Sequence, residues 1–214
     1  KILDIGSIKS DESLFHSKSI SALTEFLNGV DFICGHNILN HDLKYIQIAV
    51  ADADIPITNV IDTLFLSPLL FPATPYHNLV KDDKLQTEDA NNPLNDSIKA
   101  KDLFYDEVSK FQGTDEEMKQ IFYLLLNDKK EFEAFFRSIA YAASDMPLLP
   151  LIQRRFPTSI CQNANLARLI ASHPIELAYS LALINSNNRY SITPPWVLKN
   201  FPNVANVMAA LRGK

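Results

Sequence analysis

The chain has 214 residues, 47% of them hydrophobic and 21% charged, and carries a formal net charge of -5. That length supports a sizeable core as one large domain or one domain with an appendage, and the acidic balance argues against broad, non-specific attraction to polyanions. The apolar stretch Leu64 to Phe71 is broken by Pro68 and is too short to span a bilayer, and Cys34 and Cys161, the only cysteines, lack both zinc-site spacing and the density of a secreted scaffold, so a cytoplasmic protein without membrane contact is expected.

Lys1 to Lys9 alternates as a strand, with Ile2, Asp4, Gly6 and Ile8 on one face and Leu3, Ile5 and Ser7 on the other; Asp11 and Glu12 come next as a turn. Ile20 to Leu27 has helical spacing through Leu23, Phe26 and Leu27. Phe32 and Ile33 have strand character, Gly35 permits a sharp turn, and Asn37 is suited to cap the next helix. Leu43, Ile46 and Val50 then recur at helical spacing, so Asp42 is expected in the first turn of a helix just past a strand end. A loop at residues 52–56 precedes another strand or strand and helix start at Val60 to Leu66. This alternation predicts an α/β architecture.

Pro93 suits a first helical turn, and Asp96 is followed by Ile98, Ala100 and Leu103 in a helical pattern. Beyond Phe111 the character is almost wholly helical. Glu117 to Leu126 and Glu131 to Ala143 read as helices whose phenylalanines are packing residues, and Met146 to Pro157 reads as a proline-punctuated connector. Asn165 to Ser172 is a short helix, Pro174 begins another with Leu177, Leu181 and Ile184 on its buried face, and Asn185 to Arg189 is a polar loop. Thr193-Pro194-Pro195-Trp196 is expected to break helicity, with Trp196 pinning the tail. The expected domains are an α/β part over residues 1–112 and a helical extension or linker region over 113–214.

Gly35, His36 and Asn37, followed by Asp42 and Leu43, resemble the second motif of the DEDD exonucleases, the DnaQ-like group with the ribonuclease H fold. The resemblance implies a mixed sheet flanked by helices, two divalent ions (Mg2+ or Mn2+) held by clustered carboxylates, and 3'-5' hydrolysis of DNA from a single-stranded 3' end. An acidic chain is compatible with that chemistry, because the site meets phosphates through bound cations. Ile2 to Ile8 resembles the family's second strand rather than its Asp-x-Glu strand, since Gly6 stands where the glutamate belongs. The chain is therefore expected to begin after the first motif, without one inner strand and two of the four carboxylates. Ile61-Asp62-Thr63-Leu64, with His77 and Leu79, resembles the stretch between the second and third motifs, where Asp62 is expected to cap or anchor a helix.

For the third motif, Asp96 has the expected helical frame, but Asn91 stands where the family carries its histidine base, and Asn92 excludes the tyrosine variant. His77 and Asp82 satisfy the same spacing and remain an alternative. Asn91 takes up no proton near neutral pH, so its presence costs roughly the 10² to 10⁴ that general base catalysis contributes unless His41 or His77 substitutes. Asp42 and Asp96 are the expected metal ligands, with His41 and Asn91 as the other candidate site residues. Pro174 to Arg212 resembles a linker domain in bacterial RecQ-related helicases, implying a helicase module in a larger DNA repair protein; no GxxxxGK[ST] motif occurs here. The competing expectation is a catalytically degenerate module that binds nucleic acid or a partner protein.

Overall fold

A computed structural model describes residues 4–74, 92–186 and 192–213. It divides into two compact units, Lys1–Leu64 with Asn78–Val108, and Phe65–His77 with Ser109–Lys214.

The first unit opens with a hairpin. Strands β1 (Ile5–Ile8) and β2 (Leu14–Ser17) pair antiparallel, with Gly6 opposite His16 and Ile8 opposite Leu14. Glu12 takes a φ of 67° in the connecting turn, which Lys9 N–H closes on Ser13 O at 2.9 Å. Helix α1 (Ile20–Leu27) starts at Ser19, whose hydroxyl accepts from Ala22 N–H at 3.2 Å. Strand β3 (Ile33–Gly35) runs parallel to β4 (Val60–Asp62), in register Ile33 to Val60 and Gly35 to Asp62. Helix α2 (Leu43–Asp52) and a 3-10 turn (Ile57–Asn59) lie between them, as a parallel pair requires a crossover.

Leu23, Leu27, Ala49, Val50 and Ile55 form the core of this unit, and Ile5, Phe15, Val30 and Ile33 pack against it. Both strand pairs therefore bury side chains on the same α1–α2 layer. Among the described residues they nevertheless form two separate two-stranded sheets, one antiparallel and one parallel, rather than one mixed sheet. The α/β class is as expected, within a chain that is mostly helical. Strand β2 is an addition to the sequence reading. It is four residues long, and Leu14 is 56% exposed, so no buried alternating face marks it.

Helix α3 (Thr63–Leu70) follows β4 directly, and α4 (Pro93–Gln112) starts at the expected proline. The start of α4 lies against β1: a Cβ on Gly6 would come within 2.2 Å of the Leu94 nitrogen and 2.3 Å of the Pro93 carbonyl carbon. Ser97 Oγ donates to Gly6 O at 2.7 Å in the same place. Only a glycine allows this approach, which ties the turn carrying Asp96 to the first strand.

The second unit continues with α5 (Glu116–Leu126), α6 (Glu133–Ser138), α7 (Leu148–Arg155), α8 (Leu166–Ser172), α9 (Pro174–Asn185), α10 (Pro195–Asn200) and α11 (Val204–Leu211). Helix α9 is buried on all sides from Leu177 to Leu183, as befits a central helix, with α5, α8 and α11 packed around it. The phenylalanines are core residues: Phe111 meets Phe135 at 5.4 Å and Phe136 at 5.8 Å between ring centroids. Trp196 meets Phe65 edge-on at 5.0 Å and so holds the tail as expected.

Three readings of this region are corrected. Met146 to Pro157 is not a connector, because α7 occupies it: Pro147 is the N-cap and Pro150 lies in the first turn, where a missing N–H leaves no intrahelical bond unmade. Thr193 and Pro194 lie outside any helix, as expected, but Pro195 already begins α10. The helix expected over residues 131–143 is shorter, ending at Ser138 before Ala140 turns to a φ of 50°.

Candidate functional site around the turn after β3

The Gly-His-Asn tripeptide forms a tight turn at the C-terminal end of β3. A Cβ on Gly35 would come within 2.9 Å of the Ile38 side chain, so the chain folds back on itself too closely for any other residue to fit without displacement. Asn37 takes the left-handed conformation with a φ of 62°. It does not cap α2; its carbonyl oxygens instead hold the turn, the side-chain oxygen accepting from Asn40 Nδ2 at 3.1 Å and the main-chain oxygen from His41 N–H at 3.0 Å. Ile38 O accepts from Leu43 N–H at 2.9 Å, which leads the chain into α2.

Asp62, at the end of the neighbouring strand, is the hub of this turn. One carboxylate oxygen accepts from Asn37 N–H at 2.7 Å and Leu64 N–H at 3.0 Å, and the other from Leu39 N–H at 3.0 Å. The residue is fully buried. It thus anchors the start of α3, as expected, and additionally clamps the turn from the adjacent strand. Beside it His36 Nδ1 lies 2.9 Å from Thr63 Oγ1. Burial pushes the Asp62 carboxyl up to about 6, outweighing the three N–H donors, with the Asp42 charge adding to the rise. Burial likewise raises the Cys34 thiol, helped by the charges of Glu107 and Asp62, so Cys34 is no ready nucleophile.

Asp42 is the N-cap of α2, but its side chain makes no capping bond. Its carboxylate is 55% exposed and touches His41 Nδ1 at 3.2 Å. His41 in turn meets the Tyr45 ring edge-on at 6.3 Å. Asp96 lies in the first turn of α4, partly buried, in the same unit as Asp42. Asn91, His77 and Asp82 lie outside the described residues. Among the described residues, no group of three or more histidine, cysteine or acidic side chains converges as a metal cage.

No protein-family model matches the chain, and neither a curated protein nor a solved structure matches it. No helix among the described residues is long and apolar enough to cross a membrane.

The donors at hand bear on the implied cofactor. Mg2+ retains waters and is commonly held by one or two carboxylates, a demand that the exposed carboxylate of Asp42 could meet as one donor. A two-ion cage requires more carboxylates than these. Asp62 is not among the candidates, because its oxygens are already taken by backbone N–H groups. Its role as a clamp across two strands had no signal in the sequence beyond the Asp-Thr pair at the strand end.

Proposed function

We propose that this chain is the exonuclease-like part of a metal-dependent 3'-5' exonuclease that hydrolyses phosphodiester bonds of DNA, within a larger repair or helicase protein. The observation that carries the reading is the presentation of Asp42: an exposed carboxylate placed by a tight turn at the C-terminal ends of two adjacent parallel strands. In α/β sheets that edge is where ligands bind. The grouping of strands into β1–β2 and β3–β4 over one helix layer also suits a sheet that lacks an inner strand.

In this reading Asp42 and Asp96 bind Mg2+ or Mn2+, which supplies charge stabilisation on the phosphoryl group. Donation by His41 Nδ1 to Asp42 leaves Nε2 as the basic nitrogen, the tautomer a general base needs. The substrate is a single-stranded 3' end. With Asn91 at the third-motif position and two carboxylates available, this chain alone is a slow enzyme.

The same Asn91, whose amide takes up no proton from an attacking water, favours a second reading, a module that binds nucleic acid or a protein partner without cleaving it. One assay separates the two. The chain is incubated with 3'-labelled single-stranded DNA and Mn2+, and both label release and retained binding are measured. Release that disappears in Asp42→Ala supports the exonuclease; tight binding with no release, unchanged in Asp42→Ala, supports the module.

A further inference from the structure

The hydrogen bonds around Asp62 form a continuous path to Asp42. Asp62 receives the N–H groups of Asn37 and Leu39; Asn37 O receives His41 N–H; and Ile38 O receives Leu43 N–H, on either side of Asp42. His36, bonded to Thr63, closes the other side of the turn. Residues 36 to 42 belong to neither strand nor helix, so their position depends on a side chain from a different strand. Asn37 holds a left-handed φ here, a conformation that asparagine tolerates better than other residues with a Cβ.

We propose that Asp62 is the positioning residue for Asp42: its carboxylate fixes the turn that sets the Asp42 oxygens for a divalent cation. The inference rests on the reading of Asp42 as a metal ligand. Among the described residues, charged and titratable groups around Asp62 include Asp42 at the start of α2, Cys34 on β3 and His36 in the turn, with Glu107 of α4 acting on Cys34. Asp62 itself binds no cation, because its two oxygens face three N–H donors.

The test uses the whole chain and Mn2+ as the probe, with backbone amide exchange and Mn2+-induced line broadening followed by NMR in wild type and Asp62→Asn. The asparagine keeps the shape but has one acceptor oxygen instead of two. Exchange at Asn37 and Leu39 is expected to accelerate by about tenfold or more, with α1 and the helices of the second unit unchanged. The Mn2+ concentration that half-broadens the Asp42 amide should rise by a similar factor. Full protection in the variant, or lost protection with unchanged Mn2+ binding, overturns the positioning role and leaves Asp42 standing as a ligand. No broadening of Asp42 in wild type refutes the ligand reading and the cation part of the proposal with it. If Asp62→Asn fails to fold, Asp62→Glu, which keeps both acceptor oxygens but displaces them, replaces it in the same two measurements, and lost protection at Asn37 and Leu39 with unchanged Mn2+ binding overturns the proposal.

Discussion

The buried Asp62 carboxylate makes the stability of the first unit depend on pH in a direction opposite to that of most acidic residues. Its carboxyl is raised from 3.8 to about 6 in the folded chain, so the folded state holds the proton more tightly than the unfolded state. Linkage then fixes the sign. The contribution is fully present below about 4, falls as pH rises, and is lost once pH passes the folded value near 6. Two pH units at about 1.36 kcal/mol each amount to about 3 kcal/mol. Asp62→Asn removes the titration, so the difference between wild type and variant isolates it from the acidic groups elsewhere, such as Asp4 and Glu116, whose partners hold them low. Wild type should gain up to about 3 kcal/mol relative to the variant between pH 7 and pH 4. Trp196, the only tryptophan, belongs to the second unit, so its fluorescence does not report this transition. Hydrogen exchange at Ala49, Val50 and Leu23 does, measured at several pH values after correction for intrinsic rates. A difference that is flat, or that grows towards neutral pH, would show that the three N–H donors and the start of α3 outweigh desolvation, and the reasoning would be refuted.

Other expectations concern packing and capping. Gly6→Ala sets a methyl against the backbone of Pro93 and Leu94, so it should destabilise the first unit by about 3 kcal/mol or more and release the start of α4, visible as faster exchange at Asp96. Phe111→Ala empties a site enclosed by Phe135, Phe136 and Tyr141 and should cost about 3–5 kcal/mol in denaturant unfolding followed by Trp196 fluorescence. Asp115→Ala removes both the α5 cap to Met118 N–H and the ion pair to Arg155, and should cost about 1–2 kcal/mol in the same titration; no change would mean that solvent replaces both.

Local periodicity carried much of the fold because α1, α2, α5 and α9 each have apolar residues at helical spacing and recognisable starts, such as Ser19 and Pro174. Strand β2 and helix α7 were not legible for local reasons. One is a half-exposed strand of four residues; the other hides its helical spacing behind two prolines that happen to fall where helices tolerate them. At the candidate site, Gly35 and Asp42 stood out because a strand end, a turn and a helix start come in immediate succession. Asp62 did not, since an aspartate before a helix ordinarily caps only that helix.

The sequence by itself determined helices α1, α2, α5 and α9, the turn at Gly35 and the start of α2 at Asp42, because each is set by residues within a few positions of one another. Tertiary structure decided the pairing of strands into two small sheets, the close approach of Gly6 to α4, and the reach of Asp62 across to Asn37 and Leu39. Those depend on contacts between residues distant in the chain, such as Asn37 and Asp62, 25 positions apart. Chain spacing carries no record of them; burial and unpaired backbone donors do, and both exist only once the chain has folded.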